Sequence, residues 1–371
     1  MRAQINLRDY QRECLAAIFN RYKAGVRRQL ICLPTGTGKT VIFAQFPSFF
    51  RMKRRMLILA HRAELLNQAR DKLLAANPAL KVGIEQAGQS ASESSDVVVA
   101  SVPTVGRRGS RRLAGLDPDQ FSIVVIDEAH HATAESYHRI VEYLGLRQSD
   151  TKKLLVGFTA TPKRSDGIGL DAIFDEISYS RTIPEMMHAG YLAPVAGYRV
   201  ETGIDLSRVK TSMGDFVVSQ LSNAVNIESR NALVVKAFRE LVPDRRTLVF
   251  GVDVAHALAL AAAFRHYGIT AAPVTGDTPP DERGKTLAAF SSGRVQVLTN
   301  CMVLTEGYDE PAVDGIVLAR PTKSALLYTQ MIGRGTRLHP GKTDVTVVDV
   351  VDNSSKHHLV TLPSLFGLDA S

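Results

Sequence analysis

The sequence contains no tryptophan and only 3 cysteines among its 371 residues. Cys14, Cys32 and Cys301 lie far apart with no CxxC spacing. That excludes a disulfide framework and a cysteine-ligated zinc site, and it points to a reducing compartment, expected to be the bacterial cytoplasm or nucleoid. No apolar run approaches the roughly 18 residues needed to span a bilayer. Ala257–Phe264, at eight residues, is among the longest. The opening residues lack the apolar core of a signal peptide. No membrane and no zinc are therefore expected as partners. Hydrophobic residues at 45% and charged residues at 22% are near the globular average, so the chain is neither disordered nor fibrous. At roughly 150 residues per domain, two domains are expected.

Short, nearly continuous apolar runs alternate with helical patterns in both halves. Leu30–Leu33, Met56–Ala60, Val97–Ala100, Ile123–Ile126 and Leu154–Phe158 read as buried strands in the first half. Thr247–Phe250, Val295–Thr299, Gly315–Leu318 and Val345–Val350 do so in the second. Such runs, separated by helices, indicate parallel sheets covered on both faces. Helices are expected over Ala255–Tyr267 and over Ser324–Ile332, the latter with Ser324 as its N-cap. The expected organisation is a first α/β domain over 1–180, a linker or insertion over 181–229, a second α/β domain over 230–355 and a tail over 356–371. The linker is expected to hold a short helix near Glu185–His188 and a strand near Val195–Val200.

Three local patterns carry chemistry. Leu30–Leu33 runs into Pro34-Thr35-Gly36-Thr37-Gly38-Lys39-Thr40 and then a helical segment, the setting of a phosphate-binding loop. Its glycines let backbone N–H groups turn toward phosphate oxygens, and the helix N-terminus adds partial positive charge. Lys39 would reach the β- and γ-phosphates and Thr40 would ligate Mg²⁺. The usual first glycine is replaced by Leu33. The strand Ile123–Ile126 ends in Asp127-Glu128-Ala129-His130. Adjacent carboxylates at the ligand-binding edge of a parallel sheet suit Asp127 to the Mg²⁺ shell and Glu128 to activating water. Finally, Gln330-Met331-Ile332-Gly333-Arg334-Gly335-Thr336-Arg337 follows an amphipathic helix. Arg334 and Arg337 are candidates for neutralising charge that develops on a transferring phosphoryl group.

In this order the three patterns resemble a superfamily 2 helicase, and the family's other motifs can be matched. Leu7-Arg8-Asp9-Tyr10-Gln11 resembles its adenine-reading segment, and Leu59–Leu65 and Ser101–Thr104 its motifs Ia and Ib. Thr159-Ala160-Thr161-Pro162 resembles motif III, and Val249–Val252 falls at motif IV. Thr275-Gly276-Asp277-Thr278 is similar to the segment that follows, Leu304–Asp309 to motif V and Gln330–Arg337 to motif VI. The resemblance spans residues 7–352. LRxYQ, LAHRxEL, DEAH, LTEGYDxP and QxxGRGxR together look like the DNA-directed branch, with RadD-like and XPB-like proteins and restriction-enzyme motors, rather than DEAD-box RNA helicases.

That likeness implies two tandem RecA-like domains with an ATP cleft between them and a nucleic-acid-stimulated ATPase using ATP and Mg²⁺. It places Lys39, Asp127, Glu128, Arg334 and Arg337 in catalysis, with Thr40 and Asp127 at the metal. Nucleotide binding falls to Arg8, Gln11, Thr35, Gly36, Thr37, Gly38, Lys39, Thr40, Gly307 and Asp309. Nucleic-acid contacts fall to His61, Arg62, Ser101, Thr104, Arg108, Arg111, Arg112, Thr275 and Thr305, and coupling to His130, Thr159, Thr161 and Gln330. The implied function is an ATP-dependent DNA helicase or translocase, in repair or recombination. Its substrate would be single-stranded or tailed or branched duplex DNA, bound with little sequence specificity. The alternatives are an RNA helicase and a duplex translocase of the restriction type that never separates strands.

The net charge of +8 lies wholly in the first half: residues 1–190 hold 27 Lys+Arg against 19 Asp+Glu, and the rest hold 18 of each. Arg51, Lys53, Arg54 and Arg55 precede a strand and are expected to be a solvated loop. Arg107, Arg108, Arg111 and Arg112 follow motif Ib and are expected to meet phosphates.

Overall fold

The computed structural model describes residues 6–161, 169–353 and 359–365. Pro162 of the TATP segment and most of the expected tail lie outside the described residues. The chain forms two compact units whose principal division falls between Arg181 and Thr182.

The first unit contains β1 (Arg28–Cys32), β2 (Arg55–Ala60), β3 (Val82–Glu85), β4 (Val97–Ser101), β5 (Phe121–Ile126), β6 (Leu154–Thr159) and β7 (Glu176–Ser180). They make one sheet in the order β3-β4-β2-β5-β6-β1-β7, and every pairing is parallel. Central strands are apolar throughout because helices cover both faces; Met56–Leu59 are 0% exposed. Each such side chain contributes roughly 1.5–3 kcal/mol on burial. One face packs against Tyr137, Ile140 and Val141 of the helix Glu135–Tyr143. The strands β3 and β7, which the apolar runs did not reveal, are the two edges of the sheet. Edge strands are half-solvated, so their sequences carry polar residues and no long apolar run.

The second unit contains β8 (Val195–Asp205), β9 (Thr211–Ser212), β10 (Asp215–Phe216), β11 (Thr247–Phe250), β12 (Ala271–Val274), β13 (Val297–Asn300), β14 (Gly315–Leu318) and β15 (Val345–Asn353). Its six-stranded sheet runs β12-β13-β11-β14-β15-β8, again all parallel, while β9 and β10 form a separate antiparallel hairpin. Pro273 in β12 disguised that strand. It is tolerated because β12 is an edge.

Two expected boundaries need correction. Residues 181–229 are not a linker. β8 pairs with β15 in continuous register, from Val195 with Val345 to Val200 with Val350. The segment looked loop-like because β8 lies at the edge and its residues alternate between exposed and half-buried. Beyond β8, Leu206, Val209, Phe216, Leu221, Val225 and Val252 form a small core of their own. Nor is 356–371 wholly a tail. Leu362, 8% exposed, joins the second unit's core with Val345 and Val347, and the amide of Val360 donates to the Thr322 carbonyl at 3.1 Å.

The segments of this unit are joined by a buried ion pair. Arg230, on the helix Glu228–Leu241, donates Nε to Asp352 Oδ1 at 2.9 Å and Nη2 to Oδ2 at 2.6 Å. Its Nη1 donates to the Ala319 carbonyl at 2.9 Å. Thr202 of β8 donates its hydroxyl to the same carboxylate. Arg230 therefore ties β8, the loop after β14 and β15 to one helix.

Candidate functional site

In a parallel sheet all strands end at the same edge, which brings residues distant in sequence together. In the first unit that edge receives the phosphate loop after β1, His61 and Arg62 after β2, Ser101 at the end of β4, Asp127 after β5 and Thr159 at the end of β6. Backbone bonds fix the levels: the Leu33 amide donates to the Thr159 carbonyl at 2.9 Å, and the Asp127 amide to the Leu59 carbonyl at 3.0 Å.

The loop has the conformation its glycines permit. Gly36 and Gly38 have φ of +87° and +74°, values that residues with a Cβ rarely adopt. Gly38 then N-caps the helix Lys39–Ala44. A Cβ on Gly38 would also lie 3.0 Å from Gln11 Nε2. The expected adenine-reading glutamine thus sits against the loop. Its orientation is set by Arg8, whose amide donates to Gln11 Oε1 at 3.0 Å at the start of the helix Asp9–Lys23.

Lys39 Nζ stands 3.6 Å from Glu128 Oε1 and 3.5 Å from the Leu33 carbonyl. Both distances exceed a good hydrogen bond, so the ammonium is held by charge and can turn its donors to phosphate oxygens. Glu128 Oε2 lies 3.4 Å from His130 Nδ1. Glu128 itself adopts φ +50° and ψ +56°, a left-handed conformation that costs an L residue roughly 1–2 kcal/mol. Its amide donates to Asp127 Oδ1 at 3.0 Å, so the Asp127 carboxylate is also turned by this kink. Strain of this kind concentrates where a side chain must point one way. Here it aims the Glu128 carboxylate back at Lys39.

His130 continues into a stack: its ring centroid is 4.1 Å from that of His131, which is 4.0 Å from His61. His61 accepts from Arg62 Nε at 3.3 Å. The expected coupling residue is therefore joined to the expected nucleic-acid segment through His131. Thr159 and Thr161 close a local turn, the Thr159 hydroxyl donating to the Thr161 carbonyl at 2.9 Å.

The basic residues after motif Ib divide. Arg107, Arg108 and Arg111 are exposed. Arg112 is not a free phosphate contact, and this corrects the expectation. It pairs with Glu85 of β3 and donates to the Gln89 carbonyl at 3.0 Å and the Ala87 carbonyl at 3.1 Å. Glu85 is 5% exposed, and a carboxylate buried that far requires a cation. Thr104 directs its carbonyl to the Ser110 hydroxyl at 3.1 Å. In the other cluster, Arg55 is held by the Ser95 carbonyl at 2.7 Å and Gln120 Oε1 at 2.8 Å.

In the second unit, Arg334 and Arg337 converge on one acceptor. Their Nη1 atoms lie 2.6 Å and 3.0 Å from the Tyr308 carbonyl, and Arg337 Nε is 3.3 Å from Asp309. Gly307, with φ +74°, turns the motif V loop so that this carbonyl faces them. Gln330 donates to Glu306 Oε1 at 2.9 Å, and the Thr305 hydroxyl donates to the Met302 carbonyl at 2.6 Å. Thr275 follows β12 at the same edge, its carbonyl accepting from Arg283 at 3.0 Å. The helix Ala325–Gly333 begins where expected, with Ser324 Oγ accepting from the Leu327 amide at 3.2 Å. The motif glycine Gly335 has a packing reason: a Cβ there would lie 2.5 Å from Val345 and 2.9 Å from Ile316.

Lys342 was not singled out from the sequence. Its ammonium donates to the carbonyls of Val313 and Gly335, and to that of Pro311 at 3.2 Å. It thereby fixes Gly335, one of the two residues between the arginines, and burial pushes the lysine's pKa down to about 8. No residue-type pattern marks a lysine whose partners are all carbonyls. Burial pushes the Cys32 thiol up to about 12 and Cys14 higher still, and it raises the half-buried Cys301 as well.

Two parallel α/β sheets, a phosphate loop, an Asp-Glu pair on the adjacent strand end and a two-arginine segment in the second sheet define the paired RecA-like domains of a superfamily 2 helicase. Comparison with known proteins agrees. The family profile "Type III restriction enzyme, res subunit" matches residues 4–164, and "Helicase conserved C-terminal domain" matches 230–339. The chain thus carries both helicase domains of superfamily 2. It is 38% identical to "Putative ATP-dependent helicase IRC3" of Saccharomyces cerevisiae, over 98% of this chain and 54% of that protein. It is 23% identical to the DNA 3'-5' translocase XPB2 of Sulfurisphaera tokodaii, over 89% of this chain and 78% of that one. The solved structure of the ATP-dependent Type ISP restriction-modification enzyme LlaBIII bound to DNA has the same fold. Its TM-score is 0.69 at 16% identity, covering 96% of this chain and 28% of that one. The chain spans 54% and 61% of the Saccharomyces cerevisiae and Schizosaccharomyces pombe relatives it matches.

Proposed function

We propose that the chain is an ATP-driven motor that moves along DNA. The observation that carries this is the Lys39–Glu128 ion pair at the end of a phosphate loop, on the same sheet edge as His61, Arg62 and Ser101. An ATPase site and a nucleic-acid surface on one edge can be coupled by small loop movements. On this reading Gln11 reads adenine, the loop amides and Lys39 hold the phosphates, and arrival of the γ-phosphate draws Lys39 from Glu128. Glu128 is then free to accept a proton from the attacking water. The donor set suits Mg²⁺: the Asp127 carboxylate and Thr40 hydroxyl are hard oxygen ligands of the kind that ion takes. When bound, it would neutralise phosphate charge. Arg334 and Arg337, pre-aligned on the Tyr308 carbonyl, supply positive charge to the transition state. His61, Arg62, Ser101, Thr104, Arg108, Arg111, Thr275 and Thr305 contact the DNA backbone, which carries little sequence information.

DNA is favoured over RNA by the relatives named for it and by the motif pattern of the DNA-directed branch. A second reading, a duplex translocase without strand separation, is supported by the restriction-enzyme family that matches the first domain. The test is steady-state ATP hydrolysis with single-stranded DNA, duplex DNA or RNA, paired with strand displacement on tailed duplexes. Stimulation by DNA with displacement is expected. Stimulation by duplex without displacement selects the second reading, and stimulation by RNA alone rejects both. Glu128→Gln should lower kcat by about 10²–10⁴, the usual contribution of a general base, and undiminished turnover rejects the site.

A further inference from the structure

We propose that the hairpin Lys210–Val217 of the second unit is a nucleic-acid contact in which Met213 packs against a nucleobase and Arg208 and Lys210 meet phosphates. The inference rests on the reading of the chain as a DNA motor.

Met213 and Gly214 form the two-residue turn between β9 and β10, with φ of +50° and +82°. Positive φ at both positions is the type I′ turn, which takes Asn, Asp or Gly at its first position. Methionine is poorly suited there, and it is 87% exposed, far above the next large apolar residue among those described, Ile177 at 49%. The fold gains nothing from this thioether.

The tip is nonetheless firmly held. Phe216 and Val209, 3% and 7% exposed, anchor the base of the hairpin in the small core with Leu206, Leu221, Val225 and Val252. The Val217 amide donates to the Lys210 carbonyl at 2.9 Å, and the Lys210 amide to Gln220 Oε1 at 2.9 Å. An apolar, polarisable side chain is thus presented on a rigid support. Arg208 and Lys210, in the segment leading into β9, are exposed, with no acidic partner among the described residues. Cations flanking an apolar tip match a single strand, whose phosphates are outward and whose unstacked bases offer flat faces. Sulfur–aromatic contact and a basic groove are the two terms such binding uses.

The hairpin also has a route to the ATPase machinery of its own unit. Asp215 accepts from the Thr322 hydroxyl at 2.8 Å and the Lys323 amide at 2.9 Å, and lies 3.5 Å from Arg320. Thr322 in turn accepts from the Ser324 amide at 3.0 Å. Ser324 caps the helix that ends at Arg334. A strand seated on the tip therefore bears on the start of the helix that carries the arginine segment.

The test uses the wild-type chain first. Peroxide oxidation followed by mass spectrometry should find Met213 reactive in the free chain and protected at least threefold by saturating single-stranded DNA. Met52, on the first unit's opposite sheet edge, serves as the unprotected control. Met213→Asn then removes the thioether while giving the turn its preferred residue, so the fold is retained. It should weaken single-strand affinity about two- to tenfold, with basal ATP hydrolysis without DNA unchanged. If the chain binds DNA and is stimulated by it, yet Met213 oxidises equally with and without DNA and the Asn variant binds as wild type, the hairpin proposal is overturned and the motor reading stands. If the chain binds no DNA, both fall.

Discussion

Replacing Arg230 with methionine tests the architecture of the second unit at a point where one helix is joined to β8, β15 and the loop after β14. The Arg230 and Asp352 side chains are 1% and 0% exposed, so solvent cannot compensate for either. Arg230→Met preserves most of the aliphatic volume but leaves the Asp352 carboxylate with the Thr202 hydroxyl as its one remaining donor among the described residues, and it removes the guanidinium donor from the Ala319 carbonyl. Breaking a buried pair from one side costs about 3–5 kcal/mol, whereas removing both charges together is often close to neutral. Since 1.4 kcal/mol is tenfold, the opening constant of the unit should rise by roughly 10²–10³·⁵. Adding Asp352→Asn should recover a large part of that loss, because the uncompensated charge disappears. With no tryptophan in the chain, hydrogen exchange read by peptide is the suitable assay. Peptides from β8, β15 and residues 228–241 should exchange faster together, and those from β1–β6 should not. An acceleration under tenfold, or a double variant no better than the single one, would refute the claim that this pair holds β8 within the unit. Loss confined to residues 228–241 would refute the same claim.

Arg108→Ala with Arg111→Ala should weaken DNA binding and lower the slope of log K against log salt by about 1.5, at roughly 0.7–0.9 per phosphate contact. Arg112→Ala should leave that slope unchanged and instead speed exchange in β3, because Glu85 loses its cation. Fluorescence anisotropy across a salt series distinguishes them. Asp349 is buried against Tyr328, and burial raises its pKa to about 6. A carboxyl whose folded pKa is raised makes the native state hold its proton longer than the unfolded chain does. Stability is therefore lost as pH climbs from about 4 to 6, and the penalty is complete above that. Asp349→Asn, which keeps the acceptor for the Tyr328 hydroxyl, should be more stable than wild type by on the order of 1–3 kcal/mol at pH 7.5. The two should converge at pH 4. Thermal unfolding at the two pH values measures this, and a constant difference would contradict it.

The strands that build the site were legible because both faces of a parallel sheet are covered, so each central strand is an unbroken apolar run. The residue that ends the run is then already at the ligand edge. Thr247–Phe250 and Gly315–Leu318 appear with the bounds read from the sequence, and Asp127, Thr159 and the phosphate loop follow their strands directly. Edge strands lack this signal, which is why β3 and β7 went unread, why β8 was expected only over Val195–Val200, and why 181–229 passed for a linker. An edge strand's polar residues come from solvent on one side. In sequence they look the same as those of a loop.

Charge was less legible than hydrophobicity for a related reason. Arg111 and Arg112 are neighbours in sequence, yet one is exposed and the other is bound to Glu85, 27 residues away. Arg230 and Asp352 are separated by 122 residues. A cation's fate depends on which carboxylate the fold buries beside it, and no local pattern records that. The usable clue lies on the acidic side. Asp349 and Asp352 interrupt the apolar run of β15, where an ionised carboxylate is costly unless something compensates it. Each acid in such a run therefore signals a required partner elsewhere, and the two here meet different answers. Asp352 obtains an arginine and ties β8 and the helix Glu228–Leu241 to the sheet. Asp349 obtains a tyrosine hydroxyl, and burial raises its pKa to about 6. Interruptions of a buried strand thus predict where distant segments must dock, even when they cannot say which segment it will be.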